Sequence, residues 1–463
     1  MTLNTMLHTL WTLAENDTDP LRRLRFSNTG LSLPSTFHVG PIACATIGAQ
    51  ALMAAEIWRL RTGREQDVRV DQRHALAQFR SERYLLVDGK PAPDPWSPIA
   101  GYYQAGDGRW IQLHTNFPHH HNGVLNVLQC ADSREAVAAA IKDWKAEELD
   151  ARLAQEGLCA AMIRSPQEWQ AHPQAAAIAS LPLFEIERVS DTVPLPLPAD
   201  HQGRPLGGLR VLDLSRVIAA PVGARTLAQH GADVLAISAA HLPNIPALVI
   251  DTGRGKRPAQ LDLRLESERE HLRELIRGAD IFIHAYRPGS LEARGFSTAE
   301  LQALKPGLIE VCLSAYSHAG PWAQRRGFDS LVQSASGIAW AEGQAQGLAQ
   351  PGKLPCQALD HASGYIAALG AMAALKRRAV AGGGWRVRLS LAQTGAWLQA
   401  MGTVDGGLAQ PDLSAEEVAA WRSETDSPFG RINAISPAEE MTDTPPYFAL
   451  PPSPLDAYQA SWL

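Results

Sequence analysis

The chain has 463 residues, 45% of them hydrophobic and 19% charged, which is ample apolar material for large cores and for two or three domains. A formal charge of -6 lacks the basic face that phosphate neutralisation needs, which argues against nucleic acid as the main partner but leaves room for a small anion at a local cation cluster. The N-terminal stretch carries Glu15, Asp17 and Asp19 without a basic start, and no segment reaches the roughly 20 apolar residues that span a bilayer, so the sequence reads as cytoplasmic with no membrane partner.

Residues 1–36 show a weak pattern with one short helix near 5–14. From Gly40 the chain turns into an Ala-rich helix over 44–60, followed by a turn at Gly63 and a strand over 67–71. This unit recurs. An offset of 319 carries Met53-Ala-Ala onto Met372-Ala-Ala, Arg59 onto Arg378, Gly63 onto Gly382 and Val68-Arg69 onto Val387-Arg388. In that register Pro41 stands where Asp360 stands, so only the second copy can carry acid chemistry.

Residues 37–187 therefore divide into a degenerate copy, about 40–95, and a small α+β module, about 96–187. The module starts with a hairpin over 102–114 across Ala105-Gly-Asp-Gly108. Helices follow after Pro118 and over 133–144 and 145–155, then a strand over 160–164 and a helix opened by the capping box Ser165-Pro-Gln-Glu168. His119, His120 and His121 are adjacent and point in different directions, without the i, i+4 spacing or Cys partners of a zinc site. They read as a solvated helix start, and no metal is expected. The five cysteines, Cys44, Cys130, Cys159, Cys312 and Cys356, are scattered without a C-x-x-C pair, which suits reduced thiols.

Prolines at 194, 196, 198 and 205 mark a linker over 188–206. Over 207–408, apolar strands at 209–214, 233–237, 280–285 and 307–314 alternate with helices at 219–230, 267–277 and 297–303, the α/β pattern of a parallel sheet covered on both faces. The proline-rich tail, 409–463, loses that rhythm and is expected to wrap along a surface.

Ligands of such sheets bind at the carboxyl ends of the strands. The first loop, from Ser215 to Gly223, has no G-x-G-x-x-G, which argues against a dinucleotide cofactor. Gly253-Arg-Gly-Lys-Arg257 is either a local anion site or a solvated basic turn. In Cys356-Gln-Ala-Leu-Asp360-His-Ala-Ser-Gly364, an acid followed by apolar residues at helical spacing reads first as a helix N-cap.

Several blocks then carry a resemblance: Gly208-Leu-Arg-Val-Leu-Asp-Leu-Ser-Arg-Val-Ile-Ala-Ala-Pro221, Leu227-Ala-Gln-His-Gly-Ala-Asp-Val234, Gly255-Lys-Arg-Pro-Ala-Gln-Leu-Asp-Leu263, Tyr286-Arg-Pro-Gly289, Gly320-Pro321 and Gly327-Phe-Asp329. In order and spacing, over 207–390, they resemble the class III CoA-transferases, the CaiB/BaiF superfamily of formyl-CoA transferase and carnitine CoA-transferase. The resemblance implies a Rossmann-like parallel-sheet CoA domain joined to a smaller α+β domain. It implies CoA transfer from an acyl-CoA to a carboxylic acid, with Asp360 as nucleophile and aspartyl anhydride and aspartyl-CoA thioester intermediates. Helix-start N–H groups after Asp360 would face the oxyanion, and Ala362 and Gly364 would leave room for the thioester. The CoA contacts carried over are Ala219, Lys256, Arg257, Tyr286, Arg287, Arg294 and Tyr316. Coenzyme A enters as substrate, with no tightly bound cofactor, and a homodimer is implied.

The chain departs from the family pattern in several places. Residues 238–249 are short and uncharged apart from His241, where a charged loop is usual; Arg294 is one position out of register; Ile218 replaces a polar residue. Phe328 stands where the superfamily's racemases place a histidine, which disfavours proton abstraction. An acyl-CoA racemase and a non-catalytic CoA-binding homologue are the alternative functions. The module precedes the sheet, as in a rearranged or partly duplicated member.

Overall fold

Apolar runs without polar alternation build the centre of the molecule, as strands buried on both faces require. The computed structural model describes residues 3–93 and 96–463. Its central sheet contains β1 (Phe184–Ser190), β2 (Arg210–Leu214), β3 (Asp233–Ser238), β4 (Lys256–Gln260), β5 (Ile281–His284), β6 (Ile309–Ser314) and β7 (Gly384–Ser390). The spatial order is β4-β3-β2-β5-β6-β7-β1, all parallel except β1, which pairs antiparallel with β7. After β2 the chain builds outward to β4 and then returns to the other side at β5. The loops following β2 and β5 therefore diverge, and the crevice between them is where such sheets bind ligands. The fold is the expected Rossmann-like α/β sheet with a smaller α+β domain.

Two strands differ from expectation. Residues 256–260 form β4 instead of a basic turn; Pro258 and two cations mask its strand character, and an edge position tolerates a proline. Residues 188–190 belong to β1 instead of the linker, because β7 offers an edge to pair with. A helix, Pro246–Gly253, also forms in the stretch that carried no helical signal.

Three helices organise the interior: α1 (Val39–Thr62), α2 (Ala219–Gln229) and α3 (Ala358–Ala381). Helix α3 packs against both of the others. Gly364 of α3 allows this closeness: a Cβ there would lie 2.5 Å from the Ala219 carbonyl oxygen and 2.7 Å from Val222. On the facing helix, Gly223 would meet the Gly364 carbonyl at 3.0 Å. Contrary to the sequence expectation, α1 is long and apolar enough to cross a membrane by length and composition; 94% of that window is buried inside the protein, where it packs on α3.

The small domain has its own core, formed by Tyr103, Ile111, Leu113, Val124, Val137, Leu149 and Leu153. A three-stranded sheet, Gly101–Gln104, Trp110–Leu113 and Ala160–Met162, carries it. The tail is more structured than its prolines suggested. It forms a helix Ala415–Ala420, a hairpin of Arg422–Ser427 with Gly430–Ile435, and a strand Glu439–Met441. Beyond that it straps the sheet edge: Gly255 N–H donates to the Leu450 carbonyl at 2.9 Å, and Tyr458 N–H to the Pro258 carbonyl at 3.1 Å.

Candidate active site

The β2 and β5 loops, the head of α3 and the rim of the small domain enclose a cavity of about 660 Å³. Asp360 lies at its floor, 7% exposed. The residue is not an N-cap. Gln357 holds that position without a side-chain hydrogen bond, and Asp360 is the third residue of α3.

The missing cap is supplied from elsewhere in the chain. Asp329, at the start of the helix Asp329–Ala335, accepts the Asp360 N–H at 2.9 Å on Oδ2, while Gln333 donates to its other oxygen at 2.5 Å. A buried carboxylate thus satisfies orphan donors of the helix start and is itself hydrogen-bonded. The N–H groups expected to face the oxyanion are consequently engaged: Asp360 N–H by Asp329, and His361 N–H by the Gln357 carbonyl at 3.1 Å. Ala362 and Gly364 likewise face protein, with Gly364 spent on the α2 contact.

Burial, then the charges of Asp329 and Glu82, raise the Asp360 carboxyl well above its ordinary value. Burial pushes Asp329 up to about 6, against the lowering effect of the Asp360 N–H and Gln333. A carboxylate short of solvent and beside a second carboxylate has a high-energy anion, which is what a carboxylate nucleophile requires.

The far walls are cationic. Arg216, Arg287, Arg294 and Arg326 all line the cavity. Burial, then the positive charge of Arg326, lowers the Arg287 guanidinium; Arg216 is lowered by burial and by Arg326, with Tyr286 opposing. Neighbouring guanidiniums that raise one another's cost in this way define a place for an anion with several oxygens. The small domain adds Phe117, His119, His120 and Cys159. Phe328 stacks on His114 with ring centroids 3.9 Å apart, and Cys159 Sγ lies 3.4 Å from His120 Nε2. Burial, then His119 and Arg326, hold His120 down at about 3, so its imidazole is neutral.

Of the residues singled out in the sequence, Asp360, Ala219, Tyr286, Arg287 and Arg294 converge on this cavity. Lys256, Arg257 and Tyr316 do not. Lys256 is buried with Nζ on Asp213 Oδ2 at 2.8 Å and the Pro221 carbonyl at 2.9 Å, lining a smaller adjoining pocket of about 80 Å³. Arg257 forks onto Asp233 at 2.9 and 2.8 Å, and Arg254 onto Asp251, so the supposed basic turn presents no free cation. Tyr316 is 1% exposed, edge-on to Trp322.

Sequence reasoning missed Arg216, Arg326, His119, His120, Phe328 and Asp329. Arg325-Arg326 ahead of Gly327 was a readable signal. The three adjacent histidines read from the sequence as a solvated helix start, whereas His119 and His120 line the cavity and His121 pairs with Asp132 at 2.9 Å. In the short loop after β3, the carbonyl of Pro243 accepts from Arg216 at 2.9 Å, bringing a guanidinium from the β2 loop to that stretch.

The crevice at the carboxyl ends of the parallel sheet thus brings a buried carboxylate and several guanidiniums to one cavity. The model of CoA-transferase family III matches residues 31–183 and 206–421, and the chain belongs to that family. It is 31% identical over 330 residues to acetyl-coenzyme A transferase nodX of Hypoxylon pulicicidum, a match covering 66% of this chain and 55% of that protein. An acyl-CoA transferase of Gibberella moniliformis is 26% identical over 397 residues, covering 76% and 70%. A CaiB/BaiF family protein of Brucella suis is similar in structure, with 28% identity and a TM-score of 0.40 over 49% of this chain and 65% of that one. The chain spans between about half and 70% of the length of these relatives.

Proposed function

We propose that the protein moves CoA between an acyl-CoA and a carboxylic acid through covalent intermediates on Asp360. The single observation that carries this reading is the placement of Asp360: buried, raised in pKa by burial and by neighbouring carboxylates, and open to a cavity whose lining also includes Arg216, Arg287, Arg294 and Arg326.

In the first step an Asp360 oxygen attacks the thioester carbonyl, the C–S bond breaks, and CoA leaves as thiolate, giving a mixed anhydride. The thiolate then attacks the Asp360 carbonyl of that anhydride and expels the donor's acyl group as a carboxylate. An incoming carboxylate attacks the resulting aspartyl-CoA thioester and again releases thiolate, which takes the new acyl group and regenerates the Asp360 carboxylate. Acyl activation is conserved throughout, and no redox partner is needed. The arginine cluster holds the phosphates of coenzyme A, which enters and leaves as substrate, while the aromatic wall of Phe117 and Phe328 excludes water from the anhydride. The location this reading assumes is the cytoplasm, where acyl-CoA is made and used.

The test is to incubate the protein with a panel of acyl-CoAs, quench with hydroxylamine or borohydride, and map the modification by peptide mass spectrometry. A hydroxamate or alcohol at residue 360 is expected. CoA binding without any adduct from any thioester would overturn the transferase reading in favour of a non-catalytic CoA binder.

A further inference from the structure

We infer that the first repeat is the built-in partner subunit of the second, so that one chain forms one complete site and works as a monomer. The offset of 319 carries more than a stretch of similar residues. It takes Val39 onto Ala358 and Thr62 onto Ala381, the first and last residues of α1 and α3. Both helices close on a glycine with positive φ, Gly63 at 75° and Gly382 at 70°. The same offset takes Asp71, which ends the next strand, onto Ser390, which ends β7, and each of these residues caps the following helix with its side chain.

The neighbouring strands repeat as well. Leu24–Ser27 pairs parallel with Val68–Asp71, Ser27 opposite Asp71; β6 pairs parallel with β7, Ser314 opposite Ser390. On the other side Glu439, Glu440 and Met441 pair antiparallel with Val70, Arg69 and Val68, as Phe184, Glu185 and Ile186 of β1 pair with Leu389, Arg388 and Val387. The sheet of Leu24–Ser27, Val68–Asp71 and Glu439–Met441 is thus a shortened copy of one edge of the seven-stranded sheet, in the same order, sense and register.

The connections cross. The strand 184–190 follows the first repeat in sequence but completes the sheet of the second; the strand 439–441 follows the second and completes the sheet of the first. Each repeat hands its closing strand to the other, an exchange that in separate chains would make a mutually threaded pair. The functional consequence lies in the cavity. Its floor, Asp360, belongs to the second repeat, and its rim residues Phe117, His119, His120 and Cys159 come from the module that follows the first.

The equivalent position in the first repeat is filled. Pro41 replaces the acid, and a Cβ on the adjacent Gly40 would meet Gln72 Nε2 at 2.6 Å and Ser32 Oγ at 2.9 Å. The Gln72 amide is tied to the carbonyls of Thr29 at 3.2 Å and Leu31 at 2.5 Å, so the segment before α1 closes over the place where a substrate would enter. In place of a homodimer with two sites, the chain carries one site and a scaffold half.

Two measurements on the full chain test this. Light scattering or native mass spectrometry across a wide concentration range is expected to give a single species of one 50.1 kDa chain. The second is complementation: Asp360→Ala is mixed with the double variant Phe117→Ala, His120→Ala after co-refolding or co-expression, and no activity above that of the separate variants is expected. A particle of twice that mass, or recovered activity in the mixture, would overturn the inference. The complementation arm rests on the transferase reading, whereas the mass arm needs no turnover, so a failure of either idea is recognised separately.

Discussion

Helices α1 and α3 have the same length, the same closing glycine and the same strand after them, yet α3 opens onto a cavity and α1 onto packed chain. Two local differences separate them. At the third helical position α1 has Pro41, which lacks an N–H and so leaves no orphan donor there, while α3 has Asp360, whose N–H is satisfied by Asp329. Four residues further on, α1 has Ala45 and α3 has Gly364, the residue that lets α2 approach. The two matched helices thus differ in that α3 has a remote capping carboxylate and a glycine that admits a close neighbour, and α1 has neither.

The comparison breaks most directly at the acid. Asp360→Asn is expected to lower transfer on the order of 10³-fold or more and to abolish the trapped adduct, as loss of a covalent nucleophile does. Adding Pro41→Asp to that variant should restore nothing; any recovered adduct at residue 41 would show that the first repeat is not closed.

The next effect concerns Glu439, whose partner position in the other sheet is Phe184. Its carboxyl accepts from Gln50 at 2.7 Å and from Gln229, and burial raises it from 4.5 to about 7. Because the folded state holds this proton more tightly, the stability it contributes is present below the unfolded pKa and is lost as pH rises through about 7. At about 1.4 kcal/mol per pKa unit, that loss approaches about 3 kcal/mol. Glu439→Gln should remove it, so the advantage of the variant in urea unfolding should grow from pH 5 to pH 8. An advantage independent of pH would mean that the charge is not the cause.

Gly364→Ala places a methyl group against the Ala219 carbonyl and is expected to cost about 1–3 kcal/mol by overpacking, lowering the thermal midpoint and disturbing the cavity together. Its counterpart, Ala45→Gly, is the control. Because Ala45 is buried, it should cost about 1 kcal/mol of helix propensity plus about 0.8 kcal/mol for the lost methyl group, and leave activity intact.

Asp329→Asn keeps an acceptor for the Asp360 N–H but removes a negative charge that raises the nucleophile's pKa. Since the anion attacks, activity rises with pH through that pKa, and the variant's acidic limb should move to lower pH. A uniform loss at all pH values would mark Asp329 as a capping residue only.

Much of this was legible in the chain because local patterns encode it. The strands β2, β3, β5 and β6 announced themselves by apolar composition, and the repeat by a constant offset across a helix, a glycine and a strand. Lys256 and Arg257, which the resemblance makes CoA contacts, pair instead inside the sheet, Arg257 with Asp233 on the adjacent strand β3 and Lys256 with Asp213 on β2, one strand further. Their burial is decided by partners 43 and 24 residues away.

By itself the sequence determined that only the second repeat has an acid at the matched position, where the first has Pro41, and it determined the α/β sheet, since period and composition are properties of short segments. Only the tertiary structure decided that Asp360 is the third residue of its helix with a cap lent by Asp329, that His119, His120, Phe328 and Arg326 share its cavity, and that each repeat closes the other's sheet. Those relations join residues tens to hundreds of positions apart, and burial, which sets their charges, exists only once the chain has folded around them.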